Sequence, residues 1–146
     1  MRVLVWLVEG SWEATIDGAA ALVPEGAEVT LLYVVTGAAE EVVQGARAGL
    51  LGRHPPPPPD EPALGSISEE AAGELLGDAR SRWGGAAEVA IRHGRIEREV
   101  VAAAGDADLL VLARRGEHRH PGPKSLGHAT RFVLDHAPCA VLLVWP

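Results

Sequence analysis

Two short segments hold the residues best suited to chemistry. In the first, Ala113-Arg114-Arg115-Gly116 is followed ten residues later by Gly127-His128-Ala129. Between Ala113 and His128 stand Arg114, Arg115, Arg119 and Lys124 against a single acid, Glu117, a formal charge of +3 in a chain whose net charge is −7. Arginine forks match phosphate geometry, and glycine lets backbone N–H groups approach an anion closely. Two readings stand side by side: an anion site for a phosphate or an acidic partner, and a solvated loop in an arginine-rich chain. Arginine outnumbers lysine twelve to one here, which reads as coding bias rather than mechanism. His118, His120 and His128 raise a metal site. However, two histidines one residue apart, without nearby Cys or paired carboxylates, form a poor ligand set, and no metal is expected.

The second segment is Glu9-Gly10-Ser11, directly after an apolar run. Ser11 and Ser125 are the hydroxyls near these segments, but no Gly-x-Ser-x-Gly elbow, no Walker lysine loop and no nucleophile–base pairing accompanies them. Ser11 reads as a helix cap. Cys139, beside Pro138 at the start of another apolar run, reads as a small hydrophobe. No catalytic residue is assigned.

The elements that position these segments follow from hydrophobic patterning. Five Val- and Leu-rich runs, at 3–8, 29–35, 87–91, 109–112 and 140–145, are each flanked by Gly, Asp, Glu or Pro and predict strands. Their continuous apolar character is what a parallel sheet covered on both faces requires. Helices fill the gaps. One runs from Ser11 to about Leu22, with Trp12, Ile16, Ala19 and Val23 on one face. Others are predicted over 40–51, from a Ser66 to Glu69 capping box through Leu75, Leu76 and Trp83, over 95–104, and from Gly127 past Phe132, Val133 and Leu134 toward Pro138. Five consecutive prolines at 55–59 lie within a Pro-rich surface spacer at about 53–65. The alternation predicts an α/β, doubly wound parallel sheet, with ligands past the carboxyl ends of strands where their order reverses. Both polar segments fall there if the first strand neighbours the fourth.

Bulk properties narrow the classes. At 146 residues one domain spanning 1–146 is expected, with room for a real core. The acidic balance argues against a general nucleic-acid binder, whose affinity needs a basic surface. A lone cysteine points to a reducing, cytoplasmic setting. The first apolar run is too short for a membrane span or a signal-peptide core, and Glu9-Gly10 ends it.

The run Asp108-Leu109-Leu110-Val111-Leu112-Ala113-Arg114-Arg115-Gly116, then Leu126-Gly127-His128, then His136-Ala137-Pro138-Cys139-Ala140-Val141-Leu142-Leu143-Val144, resembles the universal stress protein family. Val8-Glu9-Gly10-Ser11, the strand at 29–35 and Gly94 fall where that family's similar elements fall, so the resemblance covers nearly the whole chain except the proline spacer. It implies a Rossmann-like sheet of strand order 3-2-1-4-5. Members that bind ATP carry G-x-x-G, nine residues, then G-[S/T], so that backbone amides and a hydroxyl cradle the phosphates at a helix start. Here Ala113 replaces the first Gly, ten residues intervene, and His128 replaces the hydroxyl residue, while Pro121 and Pro123 each remove a donor. Glu9 stands where binders usually carry an Asp that contacts the nucleoside, and Val34 matches a position lining the adenine pocket.

The resemblance thus implies a small stress-response or regulatory domain with a degenerate nucleotide-binding loop, homodimeric through the last strand near Trp145. It also leaves open an ATP or AMP binder, with Mg, using a rearranged Arg-rich loop. The site would then draw on Glu9, Gly10, Ser11, Val34, Ala113, Arg114, Arg115, Gly116, Gly127, His128 and Ala129. Slow ATP hydrolysis or autophosphorylation is a third reading, for which the motif lacks an evident base, metal ligand set and phosphate-holding lysine.

Overall fold

The computed structural model describes residues 1–36, 69–114 and 126–145. In chain order these form β1 (Arg2–Trp6), α1 (Trp12–Leu22), β2 (Glu28–Val35), α2 (Glu69–Trp83), β3 (Glu88–His93), α3 (Ile96–Ala103), a 3-10 turn (Ala104–Asp106), β4 (Leu109–Ala113), α4 (His128–His136) and β5 (Ala140–Val144). The strands make one parallel sheet in the order β3-β2-β1-β4-β5, as the sequence predicts. The expected helix at 40–51, the proline spacer at 53–65 and Ser66 of the capping box lie outside the described residues.

β1 is the central strand, and its alternate side chains divide between two cores. Val3, Val5 and Leu7 enter a cluster with Ile16 and Ala19 of α1 and Leu75, Leu76 and Ala79 of α2. Leu4 and Trp6 enter a second cluster with Val100 of α3 and Val133 of α4. Side chains alternate across a strand, so a run apolar at every position can feed both faces, and right-handed crossovers then put α1 and α2 on one side, α3 and α4 on the other. α1 is also tied to α2 by a two-pronged ion pair, with Arg82 Nε and Nη2 each 2.7 Å from an oxygen of Asp17.

Burial on both faces does not extend to the edges of the sheet. β3 is mostly exposed, only Ala90 and Ile91 being half-buried and Val89 46% exposed, because the described helices straddle the inner strands. β5, the opposite edge, is partly exposed along most of its length. The predicted helix at 95–104 is shorter, passing into the 3-10 turn at Ala104. Among the described residues no helix is long and apolar enough to cross a membrane.

Candidate functional site

β1 and β4 are parallel neighbours, with Val3 beside Leu109 and Val5 beside Val111. Both therefore end on the same side of the sheet, where the strand order reverses. That brings Glu9-Gly10-Ser11 and Ala113-Arg114 to adjacent strand ends. After β1 the chain turns tightly, the Ser11 N–H donating to Val8 O at 3.2 Å, with Gly10 third in the turn at φ +79°. A positive φ at that position favours glycine. Glu9 occupies the exposed corner of the turn.

The charge of Glu9 is felt below it by Tyr33, a residue only 8% exposed. Burial pushes the Tyr33 phenol above its ordinary range, and the Glu9 carboxylate pushes it further the same way. Ser11 differs from expectation: it sits at the N-cap position of α1, yet its hydroxyl makes no capping bond and turns back toward Val8 O at 3.4 Å. The tight turn claims the hydroxyl. Ser11 contributes its carbonyl instead, which accepts from Thr15 N at 3.0 Å and Thr15 Oγ1 at 2.8 Å.

At the end of β4, Ala113 pairs with Val144 of β5. No described non-glycine residue has a positive φ, so the Cβ of Ala113 costs the backbone nothing. The Arg114 N–H donates to Val144 O at 2.8 Å, and the Arg114 guanidinium carbon lies 4.7 Å from the centre of the Trp145 ring. Arg115 and Gly116 lie outside the described residues, as do His118 and His120.

α4 opens at Gly127, whose backbone (φ −66°, ψ 168°) is open to any residue and which has no side chain of its own to cap the helix. Helix starts leave N–H groups without intrahelical partners at the positive end of the dipole. His128, the first helical residue, is exposed. Among the described residues no group of three His, Cys, Asp or Glu is placed to hold a metal. Ala129 packs into the second core with Val8 and Val34. Val34 itself is 5% exposed, so its side chain lies beneath the crevice, and the partly exposed residues at this end of β2 are Val35 and Thr36.

Other features carry less chemistry. Burial pushes the Cys139 thiol up, which leaves it a poor nucleophile at neutral pH. A cavity of about 660 Å³ lies at the opposite, amino-terminal ends of β1 to β3, lined by Leu4, Thr30, Leu32, Ala90 and Ala103 among others. Its wall is apolar for the most part, with the charged residues Arg2, Glu28, Arg80, Glu88, Arg92 and Asp106 around it.

Sequence reasoning missed one electrostatic influence and one contact at the site. The influence of Glu9 on Tyr33 carries no sequence signal. The pairing of Arg114 with Trp145 does, since once β4 and β5 are neighbours in parallel, residues just past Ala113 and Val144 come side by side.

The chain matches the model of the universal stress protein family over residues 3–144. Among solved structures it is similar to the universal stress protein UspA from Lactobacillus plantarum, with a TM-score of 0.61 and 21% identity over 99% of this chain and 97% of that one. It is also similar to the hypothetical protein MJ0577, with a TM-score of 0.66 and 19% identity over 99% and 95% of the two chains. A third similar structure is a universal stress protein in complex with cAMP, with a TM-score of 0.63 and 18% identity over 99% and 96%. No curated protein sequence matches the chain.

Proposed function

Because the chain belongs to the universal stress protein family, we propose that it is a regulatory binding domain rather than a catalyst, and that its carboxyl-end crevice takes an adenine nucleotide, ATP or AMP. The observation that carries this reading is the first turn of α4, which opens on Gly127, a residue with no side chain of its own to cap the helix, at the same ends of the strands as Arg114. Unpartnered helix-start N–H groups attract phosphate. In this reading Gly127, His128 and Ala129 offer backbone N–H groups to the phosphates. Arg114, with Arg115 and Gly116 on the same loop, supplies positive charge where the hydroxyl of the family motif is missing. Glu9, lifted by the Gly10 turn, meets the nucleoside, and magnesium would accompany the triphosphate. A similar protein solved with cAMP supports the same ligand class.

Calorimetric titration of the nucleotide-stripped protein with ATP and Mg²⁺, and with AMP, tests it. Micromolar binding is expected, worth about 8 kcal/mol. Gly127→Trp should abolish that binding while the protein still melts cooperatively. No heat with either ligand, together with an unchanged melting temperature, refutes the proposal.

A second reading is a nucleotide-independent homodimer formed through β5. It is favoured by the outer edge of that strand, which pairs with no further strand among the described residues and where Val141, Leu142 and Leu143 are only half-buried. Unpaired strand edges are templates for association. Sedimentation equilibrium should give a dimer whether or not ATP is present, and a monomer at high micromolar concentration would exclude it.

A further inference from the structure

β3 ends the sheet on the side away from β5 and pairs with no further strand among the described residues. The direction of its backbone groups follows from one bond. Just past the strand, the Gly94 N–H donates to Val35 O of β2 at 3.1 Å. Alternate residues of a parallel strand turn both backbone groups to the same neighbour. Glu88, Ala90 and Arg92 therefore face β2, while Val89, Ile91 and His93 turn their N–H and C=O groups outward, where they meet no partner among the described residues. The side chains alternate as well. Ile91 packs on the first core, and Val89 lies exposed on the same face. Ala90 packs on the second core, flanked on that face by Glu88 and Arg92. Glu88 is exposed and forms no ion pair with a described residue, and Arg92 meets Glu99 at 3.5 Å while its side chain stays exposed.

These alternations restrict how a second copy can extend the sheet about a twofold axis. Antiparallel strands exchange hydrogen bonds only where outward-facing residues stand opposite each other, so the axis must pass through a residue and not between two. With the axis at Ala90, Val89 and Ile91 exchange bonds with Ile91 and Val89 of the second copy, and their apolar side chains meet on one face. On the other face Glu88 stands opposite Arg92 of the second copy, and Arg92 opposite its Glu88. An axis at Val89 or at Ile91 sets Glu88 against Ala90 or Gly94 instead. Apolar β-branched pairs and opposite charges directly across a strand pair both stabilise it.

We propose that the outer edge of β3 is a docking edge for a second copy of this chain, joined antiparallel about a twofold axis at Ala90 so that Glu88 and Arg92 pair reciprocally. The occupant is a second copy because the two charges lie four residues apart on one strand and answer each other under that twofold. The edge is separate from the carboxyl-end crevice and from β5, so the proposal depends on neither reading above. The strand contact runs only from Glu88 to Arg92 on each copy, and association on the order of 100 μM is expected.

Sedimentation equilibrium, carried up to about 1 mM to bracket that affinity, tests it on the wild type, Glu88→Arg, Arg92→Glu and an equimolar mixture of the two variants. Each variant alone sets like charges opposite each other twice and should weaken association about tenfold. The mixture should recover most of the wild-type association, because each arginine of one variant then faces a glutamate of the other. Both positions are exposed, so both variants should melt cooperatively. A wild type that stays monomeric throughout overturns the proposal. Single variants that associate like the wild type also overturn it, since the copies then meet at another edge such as β5. A mixture no tighter than its components overturns it too, because the charges are then not read across a twofold at Ala90. Where β5 pairs as well, the wild type grows beyond a dimer, and the same losses and recovery are expected in the added step.

Discussion

Replacing Gly18 by alanine puts a methyl group where the structure has no room. A Cβ at Gly18 lies 2.7 Å from Val144 Cγ1, 3.0 Å from its Cβ and 3.4 Å from its Cγ2. Carbon pairs rest at about 3.5–4.0 Å, so the nearest methyl must give way by roughly 1 Å. Val144 is β-branched, 8% exposed and paired with Ala113 across the sheet, so neither a rotamer change nor a strand shift is free. Overpacking of this kind costs about 1–3 kcal/mol. Alanine in a helix interior offsets about 1 kcal/mol of that through propensity. The net expectation is a loss of about 1 kcal/mol, read as a fall in melting temperature of roughly 2–4 °C for a domain of this size.

The informative controls are Gly73→Ala and Gly77→Ala in α2, where a Cβ meets nothing within 4 Å. There only the propensity gain remains, up to about 1 kcal/mol, so these variants should melt higher than the wild type while Gly18→Ala melts lower. Adding Val144→Ala should remove most of the cost of Gly18→Ala, a coupling that urea titrations of the double-mutant cycle would resolve. If Gly18→Ala stabilises the protein as much as Gly77→Ala does, the close seating of β5 on α1 is refuted.

Two titrations probe the electrostatics. Tyr33 is the single tyrosine, so phenolate absorbance reports it alone, and it should ionise above its ordinary value of 10.0. Glu9→Gln should bring the midpoint down only part of the way, because burial is the larger cause. Since the folded state holds this proton more tightly, Tyr33's contribution is intact below pH 10.0 and is lost as pH rises through the folded value; a midpoint indifferent to Glu9→Gln would separate the two residues. Asp17, hydrogen-bonded to Arg82, should titrate below its ordinary 3.8, and Arg82→Gln should return it there in a carboxyl NMR titration. Its stabilising contribution is present above pH 3.8 and lost as pH falls through the folded value. An unmoved carboxyl in the variant would mean that the ion pair is not held in solution.

Most of the sheet was legible because its inner strands obey one strong rule. β1, β2 and β4 are buried on both faces and therefore read as unbroken apolar runs, as in Val3-Leu4-Val5-Trp6-Leu7. Strand order followed from the family resemblance, not from the runs themselves. β3 was less legible, since Val89 and Ile91 alternate with small or charged residues at an edge where burial no longer dictates residue type. The hydroxyl of Ser11 was misread because the Gly10 turn competes for it, and helix-cap statistics do not register a competing local acceptor. The Arg114–Trp145 contact lies across strands 31 residues apart in sequence and emerges only from the β4–β5 register.

The departures from the family motif can be sorted by whether the fold or the ligand feels them. Gly10 is kept, and the fold uses it, because its φ of +79° closes the turn that lifts Glu9. Ala113 stands in for a glycine, and the fold does not object: its backbone is that of an ordinary strand residue paired with Val144. Gly127 likewise adopts angles open to any residue, and His128 is an exposed helix start where a Ser or Thr would fold equally well. So neither Ala113 nor His128 stands in a backbone conformation that is closed to it. If the crevice takes a nucleotide as proposed above, their effect falls on its binding. Of the motif positions described, Gly10 is the one at which the fold itself sets the residue, through its positive φ.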